Sequence, residues 1–250
     1  MSDTGAAVGW FGAARPGAAE NVLSRAMGGD RTPYDWVARA VAPGAQQVLD
    51  VACGAGGLAR RLARPGRLVV GLDLSASALE RAAAQQDGTW VQGDVAHLPF
   101  ADGSFDAVVT CLGLGVVADR VAFLREVSRV LRPGGIFAGL TPSMRPFTAD
   151  DLRITSQLAG YLRTTPQLPG LAEFRARTTL AGVGLTKVED ARARYHFTVA
   201  DRADAQALVD GLRQAPDRGR AASAVEFLTA RARAGAVAVP LPMRRIVAIK

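Results

Sequence analysis

One stretch constrains the chain more than any other. Val48-Leu49-Asp50-Val51 is a short apolar run that leads directly into Ala52-Cys53-Gly54-Ala55-Gly56-Gly57, and helical spacing resumes at once in Leu58-Ala59-Arg60-Arg61-Leu62. A buried strand that ends in glycines and restarts as a helix exposes its backbone to close approach at the strand's carboxyl end, because no Cβ stands in the way. Such a unit belongs at the ligand-facing edge of a parallel sheet.

The rest of the chain repeats the rhythm. Strands are expected at Gln47–Val51, Arg67–Asp73, Trp90–Asp94, Phe105–Cys111 and Ile136–Leu140, with helices at 57–63, 75–84 and 120–131 between them. Before the first strand, two helices are expected near 21–27 and 34–41, the second entered through Thr32 as N-cap with Pro33 at the first helical position. After Leu140 the stretch 142–169 is punctuated by prolines and long for a connection, so it reads as a lid. Helices at 171–181, 204–212 and 221–234 and strands at 185–199 and 243–249 complete the pattern. The expectation is an α/β fold: a Rossmann-like, seven-stranded, mostly parallel sheet with helices on both faces. It is a single domain over 1–250, divided into a helical cap (1–45), a core (46–141), a lid insertion after the fifth strand (142–170) and the C-terminal part of the sheet (171–250).

Composition excludes several classes of function. With 49% hydrophobic residues the chain can bury a large core, and its two cysteines, Cys53 and Cys111, form neither a disulfide framework nor a metal-binding pair. The net charge of +7 comes mostly from arginines scattered among alanines, which fits wet helix faces better than a nucleic-acid surface. No signal peptide or bilayer-length apolar run is visible, so a cytoplasmic protein with no membrane association is expected.

The glycine turn admits two ligands. Gly54-Ala55-Gly56-Gly57-Leu58-Ala59 satisfies a dinucleotide-binding fingerprint, and Asp73 lies at the spacing of a ribose-binding carboxylate, so an NAD-dependent dehydrogenase must be weighed. Asp50 argues the other way, because a carboxylate at the end of the first strand repels a pyrophosphate and favours a cationic ligand. A simpler role, in which Asp50 accepts hydrogen bonds from the turn's own amides, is compatible with that.

Asp50-Val51-Ala52-Cys53-Gly54-Ala55-Gly56 resembles motif I of the class I S-adenosylmethionine methyltransferases, an acidic residue followed by x-G-x-G-x-G, with Ala52 and Cys53 departing from the usual form. Asp73, the segment Gly93-Asp94-Val95-Ala96-His97-Leu98-Pro99-Phe100, then Asp102-Gly103-Ser104-Phe105-Asp106 and Leu131-Arg132-Pro133-Gly134-Gly135 follow in the family's order. Together they resemble the ubiquinone/menaquinone-type and small-molecule branch over about residues 34–140.

The resemblance implies S-adenosyl-L-methionine as cofactor, held by Asp50, Ala52, Gly54, Gly56, Asp73, Leu74, Asp94, Val95 and Cys111. Asp73 would take the ribose hydroxyls and Asp94 the adenine amine. Methyl transfer from a sulfonium needs alignment more than a nucleophile, so no catalytic residue and no metal are assigned. His97 and His196 read as surface or packing residues. The acceptor is expected to be a small or medium-sized organic molecule, met by Trp10, Phe11, Tyr34, Trp36, the 110–115 segment, Met144, Phe147 and Tyr161. Base methylation is disfavoured, since Thr110-Cys111-Leu112-Gly113 lacks the proline-containing segment of the amino-methylating enzymes. A cofactor-binding module without catalysis and a homodimer both stay open.

Overall fold

The computed structural model describes residues 17–145, 147–166, 168, 175–212 and 218–250. Two short helices lead in, α1 (Ala18–Arg25) and α2 (Pro33–Ala38). α2 begins where the sequence places it: Thr32 Oγ1 accepts the Asp35 amide, the Asp35 carboxylate accepts the Thr32 amide, and Pro33 supplies the first turn.

The core then alternates β1 (Gln47–Val51), α3 (Gly57–Leu62), β2 (Leu68–Asp73), α4 (Ala76–Gln85), β3 (Thr89–Gln92), β4 (Phe105–Cys111), α5 (Arg120–Val130) and β5 (Leu131–Pro142). Beyond it come α6 (Ala149–Leu162), α7 (Ala176–Ala181), β6 (Thr186–Val199), α8 (Arg202–Gly211), α9 (Arg218–Ala232) and β7 (Val237–Ile249). One seven-stranded sheet results, in the order β3-β2-β1-β4-β5-β7-β6. The first five strands are parallel, and β7 is antiparallel to both β5 and β6. Val48, Leu49 and Val51 of β1 have no exposed surface, as expected of a central strand covered on both faces. Two apolar clusters fill those faces, one gathering α1, α2, α6, α8 and α9, the other α5 and α7.

The order fixes where a ligand can enter. β1 is flanked by β2 on one side and β4 on the other, so the chain reverses its direction of winding there and leaves a crevice beyond the strands' carboxyl ends. The glycine turn lies at the mouth of that crevice.

Two strand boundaries differ most from the sequence reading. β5 begins at Leu131, because Leu131 pairs with Phe105 and the Pro133-Gly134-Gly135 turn is taken up as a register shift between Phe105 and Ala107. β7 begins at Val237, with Pro240 and Pro242 inside it. Both prolines lie beyond the last β5 pair, Pro142 with Met243; the Pro242 carbonyl there accepts the Ser143 amide at 2.9 Å, so the missing N–H of this residue faces the β5 side and the β6 ladder loses no donor to it. Buried Arg244 meets Asp190 at 2.7 and 2.8 Å, and Arg245 meets Glu189 at 2.8 and 2.9 Å on the alternate side, which locks this hairpin-like pair. Helix α6, inside the proline-punctuated segment, starts with a Thr148/Asp151 capping box and buries Ile154, Leu158 and Leu162. None of the described helices is long and apolar enough to cross a membrane.

Candidate functional site

The turn after β1 is built from left-handed residues. Ala52, Gly54 and Gly56 have φ of 54°, 55° and 79°, and the non-glycine Ala52 accepts a conformation that costs about 1–2 kcal/mol. Four of its amides are then committed. Cys53 N–H donates to the Leu72 carbonyl (3.1 Å), Gly54 N–H to Asp73 Oδ2 (2.8 Å), Ala55 N–H to Glu20 Oε2 (2.9 Å) and Gly56 N–H to the Cys53 carbonyl (3.0 Å). A pyrophosphate lodged against the turn would find none of these four donors free.

Three carboxylates surround the turn. Asp73, ending β2, also accepts the Ser75 amide through Oδ1 at 2.9 Å, so it ties the turn to the start of α4. Asp50 lies within β1 between Gly71 and Val109, is 1% exposed, and neither of its oxygens has a hydrogen-bond partner among the described residues. Burial first, then the charges of Asp73 and Glu20, hold its carboxyl well above the usual range. Glu20 reaches in from α1, and burial raises it as well, against the Ala55 amide and the more distant Arg81 and Arg60. The simpler role considered for Asp50 falls to its neighbours: Asp73 and Glu20 accept from the turn, while none of the amides of residues 53–56 donates to Asp50, and the backbone amide that acts on it is that of Ala59.

Trp90 of β3 supports the turn from beneath. A Cβ on Gly56 would come within 2.6 Å of Trp90 Cη2, and one on Gly71 would strike the same ring. These glycines make room for an indole. Tyr34 of α2 closes the other side, with its ring against Gly57 and its phenol raised well above its usual value by burial and then by Cys111, Glu20 and Asp50. Cys111, at the end of β4, shares that setting, and burial pushes both its thiol and that of Cys53 upward. Neither is a reactive thiolate.

The fold thus brings Asp50, Ala52, Gly54, Gly56, Asp73 and Cys111 to one crevice. Leu74, Asp94 and Val95 follow the ends of β2 and β3 on its flank: Leu74 is 43% exposed, and Asp94 is exposed, accepting the Ala96 amide at 2.9 Å with His97 Nδ1 3.7 Å away. Several aromatic residues expected around the acceptor are engaged in packing. Trp36 packs on Tyr195 with Arg245 4.8 Å over its ring, and Tyr161 stacks on Phe227 at 4.6 Å. Met144 and Phe147 line a small cavity with Leu168 and Met243. Trp10 and Phe11 lie outside the described residues. His196 is 3.3 Å from Asp151, beside Arg194, and borders an open pocket of about 400 Å³ between α6, α9 and the start of β7. Among the described residues, no group of three or more His, Cys, Asp or Glu is arranged to hold a metal.

Glu20 and Trp90 are the functional residues that sequence reasoning misses. Glu20 is three positions before buried Leu23, which puts it on the inward side of α1, and that register is the signal that could have found it.

The fold is a Rossmann-like seven-stranded sheet with an acidic crevice at the carboxyl end of β1. Within it, residues 49–139 match the family described as a methyltransferase domain. Two curated relatives agree. An uncharacterised methyltransferase of Synechocystis is 46% identical over 102 residues, 40% of this chain and 48% of that protein. The demethylmenaquinone methyltransferase of Beutenbergia cavernae is 44% identical over 108 residues, 42% of this chain and 45% of that protein. The chain spans about half the length of the curated relatives it matches. Among solved structures, the YcgJ protein of Bacillus subtilis superposes with a TM-score of 0.60 at 18% identity, covering 87% of this chain and 97% of that one. The [4+2]-cyclase SpnF does so at 0.57 and 20%, covering 86% and 81%. These two likenesses speak to the fold alone.

Proposed function

We propose that this chain transfers a methyl group from S-adenosyl-L-methionine to a small or medium-sized organic acceptor of the quinol or phenol kind. The observation that carries the reading is the glycine turn with the amides of residues 53–56 already engaged and three carboxylates around it. That arrangement suits a donor that carries a positive ammonium and a sulfonium and has no phosphate, and it disfavours a dinucleotide.

The residues present fit such a donor. Asp50, unpartnered and buried, and the turn at Ala52, Gly54 and Gly56 would face its amino-acid arm. Asp73, with two acceptor oxygens, would take the ribose hydroxyls, Asp94 the adenine amine, and Leu74, Val95 and Cys111 the apolar edges of the nucleoside. When bound, the donor supplies a methyl group already activated as a sulfonium. The protein's part is to bind, to align the acceptor and to keep water out, so no side chain is required to form a covalent bond. Tyr34, with its neutral phenol above the turn, helps to exclude water from the donor's side of the crevice. The quinol class is favoured by the demethylmenaquinone methyltransferase relatives, whose matches cover 42% and 36% of the chain. Action as a soluble, cytoplasmic enzyme on a small molecule, with segment 142–170 as its lid, completes the proposal.

Incubation with methyl-labelled donor and a panel of demethylated quinols, phenols and amines tests it. Label in a quinol or phenol supports the reading. Donor binding without transfer to any acceptor refutes the enzymatic claim and leaves a binding module.

A further inference from the structure

Helix α1 precedes the family match at residues 49–139, yet it delivers a carboxylate to the centre of the site. Glu20 is anchored there by one oxygen only. Oε2 accepts the Ala55 amide at 2.9 Å, while Oε1 lies against Gly54, in the space that a Cβ on Gly54 would need, and has no hydrogen-bond partner among the described residues. The cations that face it are Arg81 of α4 and Arg60 of α3, and neither forms a salt bridge with it among the described residues. Arg60 instead donates to the Ala55 carbonyl at 2.6 Å. Buried Asp50, with both oxygens unpartnered, and Asp73 lie within Coulomb reach.

Three carboxyls brought together, with Arg81 and Arg60 near but in no ion pair with them among the described residues, is a costly arrangement that a bound cation would relieve. A protein has no structural reason to send a helix-borne glutamate into such a place when a glutamine would accept the same amide. The second oxygen and the charge need another explanation.

We infer that Glu20 is a donor-binding residue: its free carboxylate oxygen over Gly54 recognises the positive charge on the amino-acid arm of the donor, together with Asp50. This rests on the proposed use of S-adenosyl-L-methionine, and it adds the N-terminal helix to a site otherwise made by β1, β2 and β4. It also explains why α1 is tied down at its C-terminal end. Its Arg25 pairs with Asp204 of α8, and the next residues, through Met27, form a bridge with His196 of β6. A wandering helix could not hold a carboxylate in register with the turn.

Calorimetric titration of the full chain and of Glu20→Gln tests the inference with three probes: S-adenosylmethionine, S-adenosylhomocysteine and 5′-methylthioadenosine. The last keeps the nucleoside but has no charged arm. Glu20→Gln should lose about ten- to hundredfold in affinity for the first two, the range for a hydrogen bond to a charged group, and nothing for the third. Its ligand-free melting temperature should stay at or above that of the parent, since a strained charge has been removed. Equal weakening toward all three probes would mean a damaged turn, and tighter binding would mean that Glu20 occludes the site; either overturns the inference. If the parent chain binds none of the probes, the donor assignment itself has failed and this inference with it.

Discussion

Asp73→Ala separates the two tasks that the structure gives this residue. In the free chain its carboxylate accepts the amides of Gly54 and Ser75 at 2.8 and 2.9 Å. Truncation leaves both donors without an acceptor, at about 1–3 kcal/mol for each group that water cannot reach. Ser75 begins α4 beside exposed Leu74, so water restores much of that bond, whereas Gly54 sits under Glu20 and is less well served. Loss of the Asp73 charge also relieves Asp50 and Glu20, which offsets part of the cost. The net expectation is about 1–3 kcal/mol of destabilisation, a fall in melting temperature of about 2–12 °C for a chain of this size. Urea denaturation followed by tryptophan fluorescence measures it, since Trp90 lies directly beneath the turn. Titration with S-adenosylhomocysteine on the same protein should show affinity lowered by more than about tenfold, as the ribose loses its acceptor. An unchanged denaturation midpoint would show that the two amide bonds carry no load. Unchanged affinity at lowered stability would remove Asp73 from the donor site.

Asp94→Ala makes the complementary case: its carboxylate is exposed and serves only the Ala96 turn, so stability should stay within about 0.5 kcal/mol while donor affinity falls by about 1.5–3 kcal/mol, read by denaturation and calorimetry. Gly56→Ala should cost about 2–5 kcal/mol of stability, because a left-handed alanine at φ 79° adds to a collision with Trp90; a midpoint equal to the parent's would contradict the packing described. Stability should also depend on pH through Asp50 and Glu20. Their carboxyls are raised in the folded chain, so the stability they contribute is full below the unfolded carboxylate range and is lost as pH rises through their folded values. Asp106, Asp151 and Asp204, lowered by their amide and arginine or histidine partners against the cost of burial, act in the opposite sense and lose their contribution as pH falls. Urea midpoints measured from about pH 4 to 8 should therefore decline less on the alkaline side for Asp50→Asn than for the parent, and identical profiles would contradict the burial of an unpartnered charge.

Much of the donor half is legible in the chain because its determinants are local. The five-residue strand β1, a glycine turn and a helix follow one another within 47–62, and the parallel order follows from their repetition. Asp50, Asp73 and Asp94 stand at or just after strand ends, which places them at the crevice before any coordinates are known. What stays hidden depends on contacts between distant segments. Glu20 meets Ala55 across 35 residues, and Trp90 meets Gly56 and Gly71 from a neighbouring strand. Pro240 and Pro242 look like breakers until β6 is seen to be their partner. On the acceptor side, Trp36 and Tyr161 meet Tyr195 and Phe227, ring partners from far along the chain that no local pattern announces.

The claim on which the account depends is that the crevice selects a cationic adenosyl sulfonium over a phosphate-bearing dinucleotide. Parallel calorimetric titrations of the purified chain with S-adenosylmethionine and with oxidised and reduced nicotinamide dinucleotides test it most directly. The account predicts saturable binding of S-adenosylmethionine with one molecule per chain and no heat from either dinucleotide. Binding of a dinucleotide in the absence of any response to S-adenosylmethionine would contradict it.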